Sequence, residues 1–264
     1  MLHLLAALMG PSDPVHFPVY WYYLLCSRCE ARDGSTFEHM QVDHLDLSIP
    51  VGEGHVSAVL FRPDGADVTV VVAHGAGTGM EHPFLTGFTG ALNDGGAATL
   101  RFNFPYREAG KKFPDRAPVA VETWKAVMAT VAERDDAGPV WACGKSFGGR
   151  MASMAVAEGM PAAGLVYLGY PLHPPGKPEK LRDEHLYGLT LPMLFLQGTR
   201  DTFALPGELE PVAHRIGPNA RVERIEGGNH SFEVRGQKRT PDVIGAGLAE
   251  PVLRFIRDAE AGRS

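Results

Sequence analysis

The run Val68-Thr69-Val70-Val71-Val72-Ala73 is β-branched or apolar at every position, so both of its faces have to be covered. A strand of this kind belongs in the middle of a parallel sheet, and it commits the flanking chain to supply helices on each side. The sequence from residue 41 onward meets that demand. Leu45, Leu47 and Ile49 alternate with Asp46 and Ser48, and a turn over 50–54 leads into a second run over 55–61, which together read as an antiparallel hairpin. Beyond the central run the patterns alternate. Helices are expected near 84–92, 119–133, 146–158, 208–215 and 243–259, and strands at 97–102, 139–143, 164–168, 191–197 and 220–225. This order predicts one α/β domain over residues 41–264, a mostly parallel twisted sheet with helices on both faces.

Residues 1–40 stand apart from that pattern. Residues 1–25 contain no Lys or Arg, which removes the positive start of a signal peptide, and Pro11, Asp13, Pro14 and Pro18 interrupt any spanning helix. They are read as a poorly structured extension, with Met40 as a candidate natural start, and no stable membrane insertion is expected. Cys26, Cys29 and Cys143 are too few for a disulfide framework, so a cytoplasmic location fits, and the Cys26–Cys29 spacing is read as two incidental thiols. With 25 basic against 31 acidic residues, a net charge of −6 and no basic block, nucleic acid is not an expected partner. The oligomeric state is open.

Open parallel sheets hold their ligands beyond the carboxyl ends of the strands, so the residues after each strand are where chemistry is expected. After the strand at 139–143 comes Gly144-Lys145-Ser146-Phe147-Gly148-Gly149, a G-x-S-x-G placed between strand and helix. Glycines on both sides of the serine permit a sharp turn that leaves its hydroxyl exposed at a helix N-terminus. A serine hydroxyl needs a base, and the base needs an orienting acid. The strand at 191–197 is followed by Gly198-Thr199-Arg200-Asp201, and the strand at 220–225 by Gly227-Gly228-Asn229-His230. Ser146, Asp201 and His230 are therefore the expected nucleophile, orienting acid and base, ahead of the rival acids Asp183, Glu184 and Glu208 and the rival histidines His173, His185 and His214. An oxyanion is expected to be held by the amides of Phe147 and Ala76, the latter in the turn His74-Gly75-Ala76-Gly77, with His74 stabilising that turn. No metal or cofactor is called for by this set.

These landmarks, together with Arg101-Phe102-Asn103-Phe104-Pro105-Tyr106, Gln197-Gly198-Thr199-Arg200-Asp201 and Gly228-Asn229-His230-Ser231-Phe232, resemble the α/β-hydrolase superfamily over residues 45–260. More narrowly they resemble its dienelactone-hydrolase-like branch, which includes bacterial hydrolases related to a testis-expressed protein and to a subunit of a histone acetyltransferase regulatory complex. The resemblance implies a metal-free serine hydrolase acting on a small acyl substrate through an acyl-enzyme. Dienelactone hydrolases proper use a cysteine where this chain has Ser146, so dienelactone itself is not carried over. A non-catalytic interaction module, and a peptidase or carbon–carbon bond hydrolase, are the alternatives. Only about 20 residues separate the strands ending at 168 and starting at 191, too short for a large helical cap. Phe104, Tyr106, His173 and Phe203 are expected to line a shallow, partly aromatic pocket for a short-chain acyl group, with Phe147 and Phe232 nearby.

Overall fold

The computed structural model describes residues 42–263. The chain divides between His39 and Met40 into two units, and the second holds every described residue. The expected extension, the start at Met40 and the Cys26–Cys29 pair lie outside the described residues.

Eight strands form one sheet: β1 (Val42–Val51), β2 (Gly54–Pro63), β3 (Thr69–Ala73), β4 (Ala98–Phe102), β5 (Val140–Lys145), β6 (Leu165–Leu168), β7 (Met193–Gly198) and β8 (Ala220–Ile225). Their order is β1-β2-β4-β3-β5-β6-β7-β8. The β1–β2 hairpin and the β2–β4 pair are antiparallel, and every pair from β4 to β8 is parallel. Strand β3 sits between β4 and β5 with all five residues buried. Its period-two geometry sends Val71 and Ala73 into one core and Val70 and Val72 into the other. The run of β-branched residues is thus used on both faces.

Helices α1 (Pro83–Asp94), α2 (Pro105–Glu108), α3 (Ala117–Ala132), α4 (Phe147–Ala157), α5 (Pro206–Ile216), α6 (Pro241–Ala246) and α7 (Ala249–Ala261) cover the sheet. On one face Trp124, Val127 and Met128 of α3 and Met151 and Ala152 of α4 pack with Tyr167 and Phe195. On the other, Phe84, Phe88 and Leu92 of α1 and Val252 and Ile256 of α7 pack with Trp141, Val166 and Leu194. The connection from β6 to β7 contains only a short 3-10 helix, Glu184–Gly188, so it supplies no helical cap over the strand ends. Among the described residues, no helix is long and apolar enough to cross a membrane.

The single final helix expected over 243–259 is two helices. A Cβ on Gly245 would stand 2.0 Å from the Phe84 carbonyl oxygen, and one on Gly87 would stand 2.2 Å from the Asp242 carbonyl oxygen. The two glycines let α6 and α1 meet backbone to backbone. The chain then turns through Gly247 and Leu248 before α7 begins, because the apolar periodicity of 243–259 serves two directions of packing and not one.

Candidate active site

Strand β5 ends at Lys145, and α4 begins at Phe147. Ser146 between them has φ 50° and ψ −113°, a conformation that L-residues avoid and that the surrounding turn must hold. The hold comes from close backbone approach. A Cβ on Gly144 would lie 2.2 Å from the Gly149 nitrogen, and one on Gly148 would lie 2.6 Å from the His74 carbonyl oxygen. The Ser146 amide donates to the Leu168 carbonyl at 3.1 Å, which ties the turn to β6. Ser146 occupies the N-cap position, yet its side chain makes no capping hydrogen bond. Its hydroxyl is directed elsewhere.

That hydroxyl lies 2.8 Å from His230 Nε2, and His230 Nδ1 lies 2.7 Å from Asp201 Oδ2. Asp201 is fully buried. It accepts from the Phe203 amide at 2.9 Å on Oδ1 and from Gln197 Nε2 at 2.6 Å on Oδ2. With these donors around it, the carboxylate acts as acceptor, and Nδ1 of His230 carries the proton between them. Nε2 is then the free lone pair facing Ser146. Burial lowers the His230 pKa from its ordinary value; the Asp201 hydrogen bond raises it by less, and the Lys145 charge lowers it further. The imidazole is neutral at neutral pH. The Phe203 ring lies against it, centroids 4.2 Å apart.

The amide of Phe147 is the first of α4 and so has no acceptor within the helix. Ala76 is exposed in the turn after β3, and both residues border the same cavity as Ser146 and His230. The turn is fixed from behind. His74 Nε2 accepts from the Phe104 amide at 3.2 Å, so Nδ1 is protonated and donates to the Gly75 carbonyl at 2.8 Å. Burial pushes the His74 pKa down to about 4, consistent with a neutral structural ring.

The cavity has a volume of about 510 Å³ and opens to solvent. Phe84 and Leu85 of α1, Phe203 and Ile244 of α6 supply much of its apolar wall. Of the four residues expected to line it, Phe203 does. Phe104 and Tyr106 do not: both are buried in the core, where Phe104 packs edge-on against His74 and Phe147, and the Tyr106 hydroxyl donates to the Gly75 carbonyl at 3.3 Å. They support the turn that carries Ala76. His173 is turned away as well, held by Glu208 at 3.0 Å and the Pro174 carbonyl at 2.8 Å. Burial pulls its pKa down, but these partners outweigh burial and the net shift is upward; His173 is tied to α5 through Glu208 and is not part of the cavity wall. Phe232 is buried too, stacked on Phe84.

Two polar residues of the quoted motifs carry contacts to which the sequence assigned no role. Gln197 is buried near the end of β7, and besides donating to Asp201 its Oε1 accepts from the Tyr170 amide at 2.8 Å. Lys145 donates from Nζ to the His230 carbonyl at 2.6 Å and lies 5.3 Å from the Phe232 ring centroid; burial pushes its amine down to about 8, against the pull of Asp201. The available signal for both was a polar side chain inside an otherwise apolar core strand.

The profile of a family described as alpha/beta hydrolase domain matches residues 66–256. The chain belongs to the alpha/beta hydrolase family. Among solved structures, this hydrolase is similar to dienelactone hydrolase from Anabaena variabilis, with 22% identity, a TM-score of 0.64, and coverage of 83% of this chain and 98% of that one. It is also similar to an α/β serine hydrolase without a lid from Xanthomonas campestris, with 19% identity, a TM-score of 0.64, and coverage of 81% and 95%. An esterase from Pyrococcus furiosus shares 17% identity at a TM-score of 0.66, over 82% of this chain and 91% of that one. At these identities the likeness is one of fold.

Proposed function

We propose that this alpha/beta hydrolase cleaves a small or short-chain ester, thioester or related acyl bond through an acyl-enzyme intermediate, with Ser146 as nucleophile. One observation carries the reading: the continuous hydrogen-bonded row from Asp201 through His230 to Ser146, at 2.7 and 2.8 Å. As Ser146 Oγ bonds to the substrate carbonyl carbon, its proton passes to His230 Nε2, and Asp201 stabilises the imidazolium that forms. The carbonyl electron pair moves onto oxygen, where the amides of Phe147 and Ala76, both at the cavity, receive it. Collapse of that adduct expels the alcohol or thiol, which leaves with the proton from Nε2. Water then repeats the sequence on the acyl-enzyme and releases the acid. The alpha/beta hydrolase family, the uncapped cavity and the esterase likeness in fold all agree with this assignment.

The test is covalent. A fluorophosphonate probe forms one adduct, and tandem mass spectrometry of the digest locates it on Ser146. An adduct on another serine, or none while short p-nitrophenyl esters stay intact, defeats the reading and favours a non-catalytic role.

A pH profile offers an independent check. The base is competent only when neutral, and its pKa lies below the ordinary 6.5. Thus kcat/KM for a p-nitrophenyl ester stays level near neutrality and declines about tenfold per pH unit below a midpoint under 6.5. A midpoint above that value contradicts the buried, neutral state of His230.

A further inference from the structure

The cavity is also lined by two arginines that the proton relay does not use. Arg150 lies one helical turn beyond Ser146 on α4, with its amide donating to the Ser146 carbonyl at 3.1 Å, and residues so spaced share a helix face. Arg182, from the connection between β6 and β7, lines the same cavity. Arg150 Nε is buried with no hydrogen-bond partner. Neither guanidinium meets a carboxylate among the described residues, whereas Arg101, Arg134, Arg221, Arg224 and Arg254 each do. Burial holds the Arg150 pKa below the ordinary arginine value, and the charge of Arg182 adds to this against the opposing pull of Tyr170. Glu233, the acidic residue in the cavity wall, is engaged by Asn229 Nδ2 at 2.9 Å.

Two like charges lining one cavity, one with a desolvated N–H left unmet, are costly and become favourable when an anion joins them. The fork of an arginine matches the paired oxygens of a carboxylate or phosphate. We infer that Arg150 and Arg182 form a subsite for an anionic group on the substrate, so that the substrate class is esters or thioesters carrying a carboxylate or phosphate a few bonds from the scissile carbonyl. Half-esters of short dicarboxylic acids are the simplest members of that class. The apolar wall of Phe84, Leu85 and Ile244 then takes the uncharged end. This inference rests on the serine-hydrolase reading for its reaction, but its binding step can be measured without turnover.

The experiment titrates the Ser146→Ala protein, in which bound ester persists, by calorimetry with monomethyl glutarate, with dimethyl glutarate and with the methyl ester of phosphoglycolate. At least one of the two anionic esters binds about tenfold or more tightly than the neutral diester, as expected for charge-assisted hydrogen bonds, and the tighter of the two identifies the anion. Adding Arg182→Met removes most of that difference. Arg150→Met does the same, and Arg182, half-exposed on a loop, gives the same readout if the α4 variant folds poorly. Equal binding of charged and neutral esters overturns the subsite, as does a preference that survives both substitutions. Failure of the wild-type protein to react with fluorophosphonate would instead strike the serine-hydrolase reading, and the calorimetric difference would stand apart from it.

Discussion

Ser146→Ala lowers kcat toward a p-nitrophenyl ester by about 10⁶-fold and abolishes fluorophosphonate labelling, while the melting temperature stays near that of the wild type. The size of the loss follows from cooperation within the row. Without the hydroxyl, His230 and Asp201 have no nucleophile to activate, so removing Ser146 costs about as much as removing all three. On the proposed mechanism a residue of about 10³–10⁴-fold over uncatalysed hydrolysis remains, from the oxyanion donors assigned there to Phe147 and Ala76. Stability is little affected, since the hydroxyl makes no capping bond and the strained φ of 50° is imposed by glycines that the substitution leaves alone. Retention of more than about a hundredth of the wild-type rate would place the nucleophile elsewhere.

Asp201→Asn costs about 10⁴-fold in kcat. The carboxylate accepts on Oδ2 from both His230 Nδ1 and Gln197 Nε2, and on Oδ1 from the Phe203 amide. An asparagine has one acceptor oxygen for these two positions. With its oxygen toward His230, its NH2 faces the Phe203 N–H and two donors collide. With its NH2 toward His230, it meets the donor of Gln197 and forces the imidazole into the tautomer that carries its proton on Nε2, which cannot take one from Ser146. In either orientation the imidazolium formed during attack loses its counter-charge. Because the site is fully buried, the variant also unfolds more easily, by about 1–3 kcal/mol for the unmet donor. Steady-state turnover and thermal melting separate the two effects, and a rate within tenfold of wild type would remove Asp201 from the relay.

Much of the architecture was legible because it depends on local patterns. The β-branched run of β3 demanded cover on both faces, and the alternation around it supplied the cover. The Ser146, Asp201 and His230 trio was legible for a related reason: each follows the carboxyl end of a parallel strand, where an open sheet collects its reactive groups. The cavity wall was not. Phe84 and Ile244 come from α1 and α6, which are far apart in sequence and meet only through tertiary packing, and no periodicity records that meeting. Phe104 and Tyr106 carried the right chemistry on the right loop, but aromatic type says nothing of which way a ring faces, and the core claimed both. The break at Gly247-Leu248 was hidden for the converse reason, since the apolar spacing runs on through it. Gln197 and Lys145 were visible only as exceptions within apolar strands.

The crossing of α1 and α6 bears on what the pocket will admit. Where Gly87 meets Asp242 and Gly245 meets Phe84, the main chains touch with no side chain left to yield, and the same two helices provide Phe84, Leu85, Pro241 and Ile244 to the cavity. That side of the chamber is a fixed stop. Widening the cavity on that side would mean moving main chain against main chain, which no change of rotamer can accomplish.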